Sequence, residues 1–525
     1  MKIKTIILIP LLFLFPCIST AGDARIQNEI HLLQHQTAVL QHRLDSLQNK
    51  LVKKSVSKKK IKNPDSSIKP KSKSSHPNKQ VDVHNSPVTV KSVNGHPESV
   101  EYNPVALMAD DHVVTYIAGM PIVTSPYLGA RPAFDGSDYI VNISSINRDI
   151  RLMQQRRRLY DAYDRMGYPH PNLPIVTISG KVEPIGSWHH SRTDAGTGDW
   201  NLGSGELDAA AAINDKVEAY IALAYDSSPP NAGGPRVNNS NVNLNMGFIN
   251  IGDLDESPYY FTAGQLFVPF GRFSTAMVSA PLTMIVGRTK ARPVILGYKS
   301  QGASGPFAAT YAYKSETTLG NSAIGGVNLG YVFNTPDSLG EVGASFISSL
   351  DDAAGLQVTR SGVSNTFAGF ASVTNGNESV RKIPAIGAHA NFGFDRYNLT
   401  AEWVSSLGRY RVQDLSFNGR GAQLQAAQLE GGVTFMAFDR PSSVGVGYQW
   451  SKDTLALNLP EHRAAVVFNT SIWKDTVESL EYRHDINFKS NQFANGSAPA
   501  GFVNANTIGL GGASDTVLAQ IGVYF

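Results

Sequence analysis

The chain has 525 residues, 42% of them hydrophobic and 17% charged, with 47 Gly and a single cysteine. Beyond residue 21 no apolar run reaches the roughly 20 residues a membrane-crossing helix needs, which excludes a helical membrane bundle. The formal net charge of +3 conceals an asymmetry: residues 53–98 hold eleven Lys against Asp65, Asp82 and Glu98, and the remainder beyond them is mildly acidic.

Residues 1–21 read as a signal peptide. Met1-Lys2-Ile3-Lys4 is basic, Ile6 to Ile18 is apolar, and Ser19-Thr20-Ala21 suits cleavage. Cys17 lies inside that leader, so the mature chain has no disulfide, thiol nucleophile or Cys-based zinc site. In residues 22–52, Ile26, Ile30, Leu33, Thr37, Leu40, Leu44, Leu47 and Leu51 alternate spacings of four and three, the seam of a short coiled coil. Such a coil is marginal alone and implies a homo-oligomer. Residues 53–98, rich in Lys, Ser, Pro and Asn, read as a flexible linker. Behind a signal peptide the Lys run has no nucleic acid to meet; it suits solvent, lipid head groups or contact with anionic cell-wall polymer. Residues 99–174 form a small connector. It carries an extended stretch, 113–124, then an expected helix from about Ser145 to Met166 with Ile146, Ile150, Met153, Tyr160 and Tyr163 near helical spacing.

From Ile175 the period becomes two. Val217, Ala219, Ile221 and Leu223 alternate with Glu218, Tyr220 and Ala222; Leu399, Ala401 and Trp403 alternate with Thr400 and Glu402; Val446 and Tyr448 with Gly447 and Gln449; Leu480 and Tyr482 with Glu481 and Arg483. The first set of each pair is expected to face lipid and the second a watery lumen. Sixteen strands are expected, starting near residues 175, 205, 216, 242, 258, 292, 306, 323, 340, 382, 396, 426, 442, 462, 475 and 514. Tight turns such as Asn214-Asp215 alternate with long Gly/Ser/Asn segments, near 189–204, 226–240, 270–291, 351–381, 406–424 and 488–513. The last strand ends on Phe525 with its apolar face uncovered, as suits a closing barrel in lipid. The fold class is therefore an all-β transmembrane barrel over residues 175–525, and an even strand number leaves both ends in the periplasm.

The segment after the fifth strand, Phe270 to Arg292, is long and apolar for an external loop and would suit one folded back into the barrel. Arg272, Arg288, Lys290 and Arg292 carry positive charge with no acid between them. In a narrow channel they would attract a carboxylate ligand; as rim charges they would meet lipid head groups or acids of the barrel wall. Trp188-His189-His190 is expected at the first external loop, and Asp253, Asp255 and Glu256 crowd one turn. No nucleophile motif, phosphate loop or metal-ligand pair stands out in the barrel, so an enzyme is not expected, nor a cofactor.

Three stretches carry a family resemblance: Gly119-Met120-Pro121-Ile122-Val123-Thr124-Ser125-Pro126-Tyr127-Leu128-Gly129, Ala133-Phe134-Asp135-Gly136-Ser137-Asp138-Tyr139-Ile140-Val141-Asn142, and Ala263-Gly264-Gln265-Leu266-Phe267-Val268-Pro269-Phe270-Gly271-Arg272-Phe273-Ser274. With the leading heptads, the chain resembles the LbtU-type siderophore porin family of Gram-negative outer membranes. The resemblance implies a barrel of about this strand number that imports a ferric siderophore, an anionic polycarboxylate chelate, without a large plug domain. A trimer would match common porin symmetry by analogy. A general or anion-selective porin and a structural envelope tether stand as alternatives.

Overall fold

The computed structural model describes residues 88–89, 101–102, 113–117, 120–124, 146–150, 152–153, 173–191, 196–226, 242–302, 304–315, 323–335, 338–358, 381–394, 396–412, 415–438, 440–473, 476–494 and 508–524. The expected signal peptide, the heptad region, almost all of the Lys-rich linker, the expected helix beyond Met153 and Phe525 lie outside them.

Sixteen antiparallel strands close into a barrel. They are β1 Ile175–Ser191, β2 Thr197–Asn214, β3 Val217–Asp226, β4 Val242–Ile251, β5 Tyr259–Phe267, β6 Val294–Lys299, β7 Gly305–Lys314 and β8 Ala323–Asn334, followed by β9 Ser338–Ile347, β10 Ala385–Phe394, β11 Tyr397–Ser406, β12 Gln425–Ala437, β13 Arg440–Lys452, β14 His462–Thr470, β15 Thr476–Ile486 and β16 Ala513–Tyr524. β16 closes on β1, with Val517 opposite Trp188 and Tyr524 opposite Lys181. Among the described residues no strand edge is left open in the wall, which is what a backbone in lipid requires.

Connections largely alternate. One end of the barrel carries short turns and the other mostly long loops, although the β1–β2 connection at the loop end is only five residues. At the first turn Asn214 Oδ1 accepts the backbone N–H groups of Lys216 and Val217, both at 2.9 Å, which fixes the two-residue reversal. The expected acidic turn is an ordinary one: Asp253 Oδ1 accepts the Asp255 N–H, and Glu256 pairs with Lys216 at 2.6 Å.

The alternation of side chains sorts them as the sequence implies. Ile221, Leu296, Leu429 and Val446 point outward and are 51–59% exposed, whereas inward Asp208, Glu218, Thr400, Glu402 and Glu481 are buried. Outward aromatics gather at both ends. Tyr259, Tyr298, Tyr331, Phe333, Phe392, Phe394 and Tyr397 ring the turn end, with Tyr259 and Tyr298 in edge contact at 5.4 Å. Trp188, Trp200, Tyr448 and Tyr482 stand toward the loop end. These are the interfacial girdles of a transmembrane barrel.

Two expectations are corrected. β2 begins at Thr197 rather than near 205, because it continues pairing with β1 past a bulge opposite Glu183. Gly203 permits the bulge: its φ is +68°, and a Cβ there would lie 2.0 Å from the Glu183 carbonyl oxygen. In consequence Trp188, His189 and His190 belong to β1 and not to a loop. Trp188 stacks on His190 at 5.8 Å, and His189 sits on Thr516 at 3.0 Å.

Two elements precede the wall. A hairpin, Val113–Ile117 with Met120–Thr124, lies parallel to the start of β1, pairing Ile122 with Val176 and Thr124 with Ile178. It takes the edge of β1 that β16 leaves beyond Lys181. Residues 146–150 and 152–153, helical at 148–150 and 152–153, pack inside the barrel against β3, β4 and β5.

An outward charge tests which face meets lipid. Val446→Arg should lower stability in lipid vesicles by about 2–4 kcal/mol, read as an earlier urea midpoint; an unchanged midpoint would contradict the orientation.

Candidate functional site

The loop between β5 and β6 enters the lumen. Its base is zipped: Lys290 pairs with Phe267, Ala291 with Leu266, and Val268 N–H donates to Thr289 O at 3.0 Å. Beyond that base the chain turns at Gly271, where φ is +73° and a Cβ would lie 2.3 Å from the Phe273 ring and 2.9 Å from Glu402 Oε1. Only glycine allows this approach.

Inside the barrel the loop has no strand partner, and wall side chains supply acceptors instead. Glu402 of β11 accepts the N–H of Arg272 at 2.6 Å and of Phe273 at 2.8 Å. Glu430 of β12 accepts Ala276 N–H and, at 2.7 Å, the Thr275 hydroxyl. Glu481 of β15 accepts Ser279 N–H at 2.9 Å and the Ser279 hydroxyl. Gln449 of β13 accepts Leu282 N–H at 2.8 Å. The loop's carbonyls are met in turn: Gln428 Nε2 donates to Ser274 O at 2.9 Å, Asn469 to Ala276 O and Arg463 to Ala280 O, both at 3.3 Å.

These wall groups follow from strand register. Glu402, Gln428, Gln449, Arg463 and Asp485 stand directly opposite one another across β11 to β15, a single inward polar row. Gly445 and Gly447 leave room beside it for Ala276 and Met277. A buried carboxylate is costly unless it is fully bonded, and each of these three accepts at least two donors. Each such bond contributes about 1.5–3 kcal/mol.

The far side of the loop is α1, Leu282–Gly287, with Leu282 and Val286 fully buried. It joins an apolar cap at the loop end, where Leu350, Leu356, Leu415, Phe417, Leu424, Leu457 and Phe488 form one core with Phe270 and Phe273. Arg420 forks onto Asp453 at 3.0 and 3.1 Å, and Phe417 meets Phe488 edge-on at 5.5 Å. The β9 to β16 side of the lumen is thus filled and tied together.

The four cations expected at a constriction fall into two groups. Arg272 lies within the barrel, its Nη2 3.7 Å from Glu341 of β9, and Glu341 also holds His389 at 3.0 Å. Arg288 stacks over the Phe267 ring at 4.6 Å and Lys290 lies 5.8 Å from the same ring. Exposed Lys290 and Arg292 reach Asn245 at 3.1 Å and Gln265 at 3.3 Å. The loop's entry into the barrel is visible in its apolar sequence. The acids that anchor it are visible only as inward positions of their strands, since nothing in the sequence pairs them with a distant loop.

Similarity to known proteins fixes the family. The chain is 64% identical over 444 residues, 84% of each protein, to a UPF0422 protein of Legionella pneumophila strain Lens. The chain belongs to the UPF0422 family. A second UPF0422 protein, from Coxiella burnetii, is 35% identical over 407 residues, 76% of this chain and 83% of that protein. No model of a known protein family matches. Among solved structures, the outer membrane channel DcaP of Acinetobacter baumannii aligns with a TM-score of 0.42 at 12% identity, over 67% of this chain and 97% of that one. An anion-selective porin from Comamonas acidovorans aligns with a TM-score of 0.44 at 12% identity, over 67% and 100%.

In this UPF0422 barrel the anchoring acids are open to test. Glu402→Ala and Glu430→Ala should each destabilise by about 1–3 kcal/mol and together expose residues 268–293 to protease. Gln at either position keeps an acceptor and should keep most of the protection. A loop left uncleaved in the double Ala variant would contradict the anchoring.

Proposed function

We propose that this chain is an outer-membrane channel with its amino-terminal region in the periplasm, importing an anionic ferric polycarboxylate siderophore. The observation that carries the reading is the loop held across the lumen by Glu402, Glu430, Glu481 and Gln449. A fixed internal constriction makes a barrel selective, since a solute must exchange hydration for the groups that line it. Arg272, with a side chain 21% exposed, faces the lumen interior and would meet a carboxylate there. Arg288, Lys290 and Arg292 would gather the same ligand near the ends of β5 and β6. The closed wall with outward apolar residues and two aromatic girdles supports the membrane location. The resemblance of residues 119–129, 133–142 and 263–274 to LbtU-type siderophore porins supplies the cargo. Oligomerisation through residues 26–51 and cell-wall contact by residues 53–98 belong to the same proposal.

The separation of Arg272 from the other three cations favours a second reading, a less selective anion channel. Its uptake would not depend on which chelate carries the iron.

The test is uptake of iron-labelled siderophore by a deletion strain complemented with the intact gene or with Arg272→Gln, Arg288→Gln, Lys290→Gln and Arg292→Gln combined. The intact gene should restore uptake, and the Gln variant, at normal surface level, should not. Undiminished uptake in the deletion strain, with no paralogue to replace it, would overturn the siderophore reading.

A further inference from the structure

The lumen beside β2 to β5 holds a different occupant. Residues 146–153 sit near the turn end, with Ile146 fully buried and Arg148, Asp149 and Met153 each 2% exposed. Arg148 Nη1 donates to Tyr220 OH at 2.9 Å, and Tyr220 OH donates to Asp208 Oδ1 at 2.6 Å. Asn250 donates to Asp149 O at 3.0 Å, and Thr262 Oγ1 donates to Asp149 Oδ2 at 3.1 Å. Ile146, Ile150, Leu152 and Met153 share a core with Tyr220, Met246, Phe248 and Tyr260 of the wall.

We propose that residues 146–150, with Leu152 and Met153, are a displaceable plug that closes the turn-end mouth of this sector. The proposal rests on the channel reading above. The segment and the β5–β6 loop are fastened differently. The loop is continuous with two wall strands and zipped at its base, and its tip is locked beneath the apolar cap. Among the described residues the segment joins no ladder of the barrel: the Arg148 side chain bonds Tyr220, and Asp149 accepts from Asn250 through its carbonyl and from Thr262 through its carboxylate. Those groups exchange protein partners for water when the segment leaves. The wall beneath is polar beside that apolar patch. Glu206, Asp208 and Glu218 all project inward there, an acidic strip that Arg148 faces while the segment is seated. Nineteen residues lie between Met153 and Leu173 in the sequence, so a displaced segment stays tethered to the barrel. With the β9 to β16 side filled by the anchored loop and cap, passage runs through the sector this segment occupies.

The experiment is ion conductance of the full chain in planar bilayers. In one arm, Arg148→Gln with Asp149→Asn loosens the plug and should raise the open fraction about tenfold, the factor one lost charged hydrogen bond is worth. In the other, Asp149→Cys with Thr262→Cys joins the plug to β5; Cys17 is the only native cysteine. The oxidised pair should conduct less than the wild type and recover on reduction. Assembly of each variant is checked by its heat-dependent electrophoretic mobility. Equal conductance of the oxidised and reduced pair, with the disulfide verified, would overturn the plug while leaving the channel. An assembled loosened variant that conducts like the wild type would do the same. Silence of wild type, loosened variant and reduced pair alike would overturn the channel reading and the plug with it.

Discussion

A loop that crosses the inside of a β-barrel has no ladder to complete, and every buried N–H it cannot satisfy within itself needs an acceptor from the wall. Here that constraint is met by carboxylates. Glu402, Glu430 and Glu481 take the amides of Arg272, Phe273, Ala276 and Ser279, and Gln449 takes that of Leu282. Because strand residues alternate strictly, these acceptors need only occupy inward positions in register to lie beneath the path of the loop. The acids in turn tolerate burial because the loop supplies their donors. Wall and loop are therefore one unit, and the apolar cap of Leu350, Leu415, Phe417, Leu457 and Phe488 builds on the helix that this unit positions.

The remainder of the barrel is filled in another manner. On the β2 to β5 side the occupant comes from ahead of the first strand, and side chains rather than a zipped base hold it. One occupant is fixed by continuity with the wall and the other by side-chain hydrogen bonds and apolar packing on Tyr220, Met246, Phe248 and Tyr260. On the channel reading proposed above, this asymmetry would give the loop the role of constriction and residues 146–150, with Leu152 and Met153, that of a gate.

Much of the wall was legible in the sequence. The strands expected at 175, 242, 323 and 462 begin at Ile175, Val242, Ala323 and His462, since each follows a clear switch from turn residues to period-two alternation. The second strand departs furthest, at Thr197, because the polar, Gly-rich run to Gly203 has loop composition and is strand only through its pairing with β1. The long apolar stretch after the fifth strand signalled a loop turned inward. Its anchors did not stand out: Glu402 and Glu481 read as inward wall residues, and only the folded register brings them to residues more than a hundred positions away. Spacing along the chain also grouped Arg272 with Arg288, Lys290 and Arg292, whereas the turn at Gly271 carries Arg272 toward Glu341 and leaves the others around Phe267, Asn245 and Gln265.

Hydrogen exchange of the loop amides, followed by mass spectrometry on the folded full-length chain in detergent or lipid, tests the central claim most directly. Peptides covering Arg272, Phe273, Ala276, Ser279 and Leu282 should exchange as slowly as those of the neighbouring strands, since each amide is hydrogen-bonded to a wall acceptor. Exchange as rapid as that of an exposed surface loop would contradict the anchored constriction.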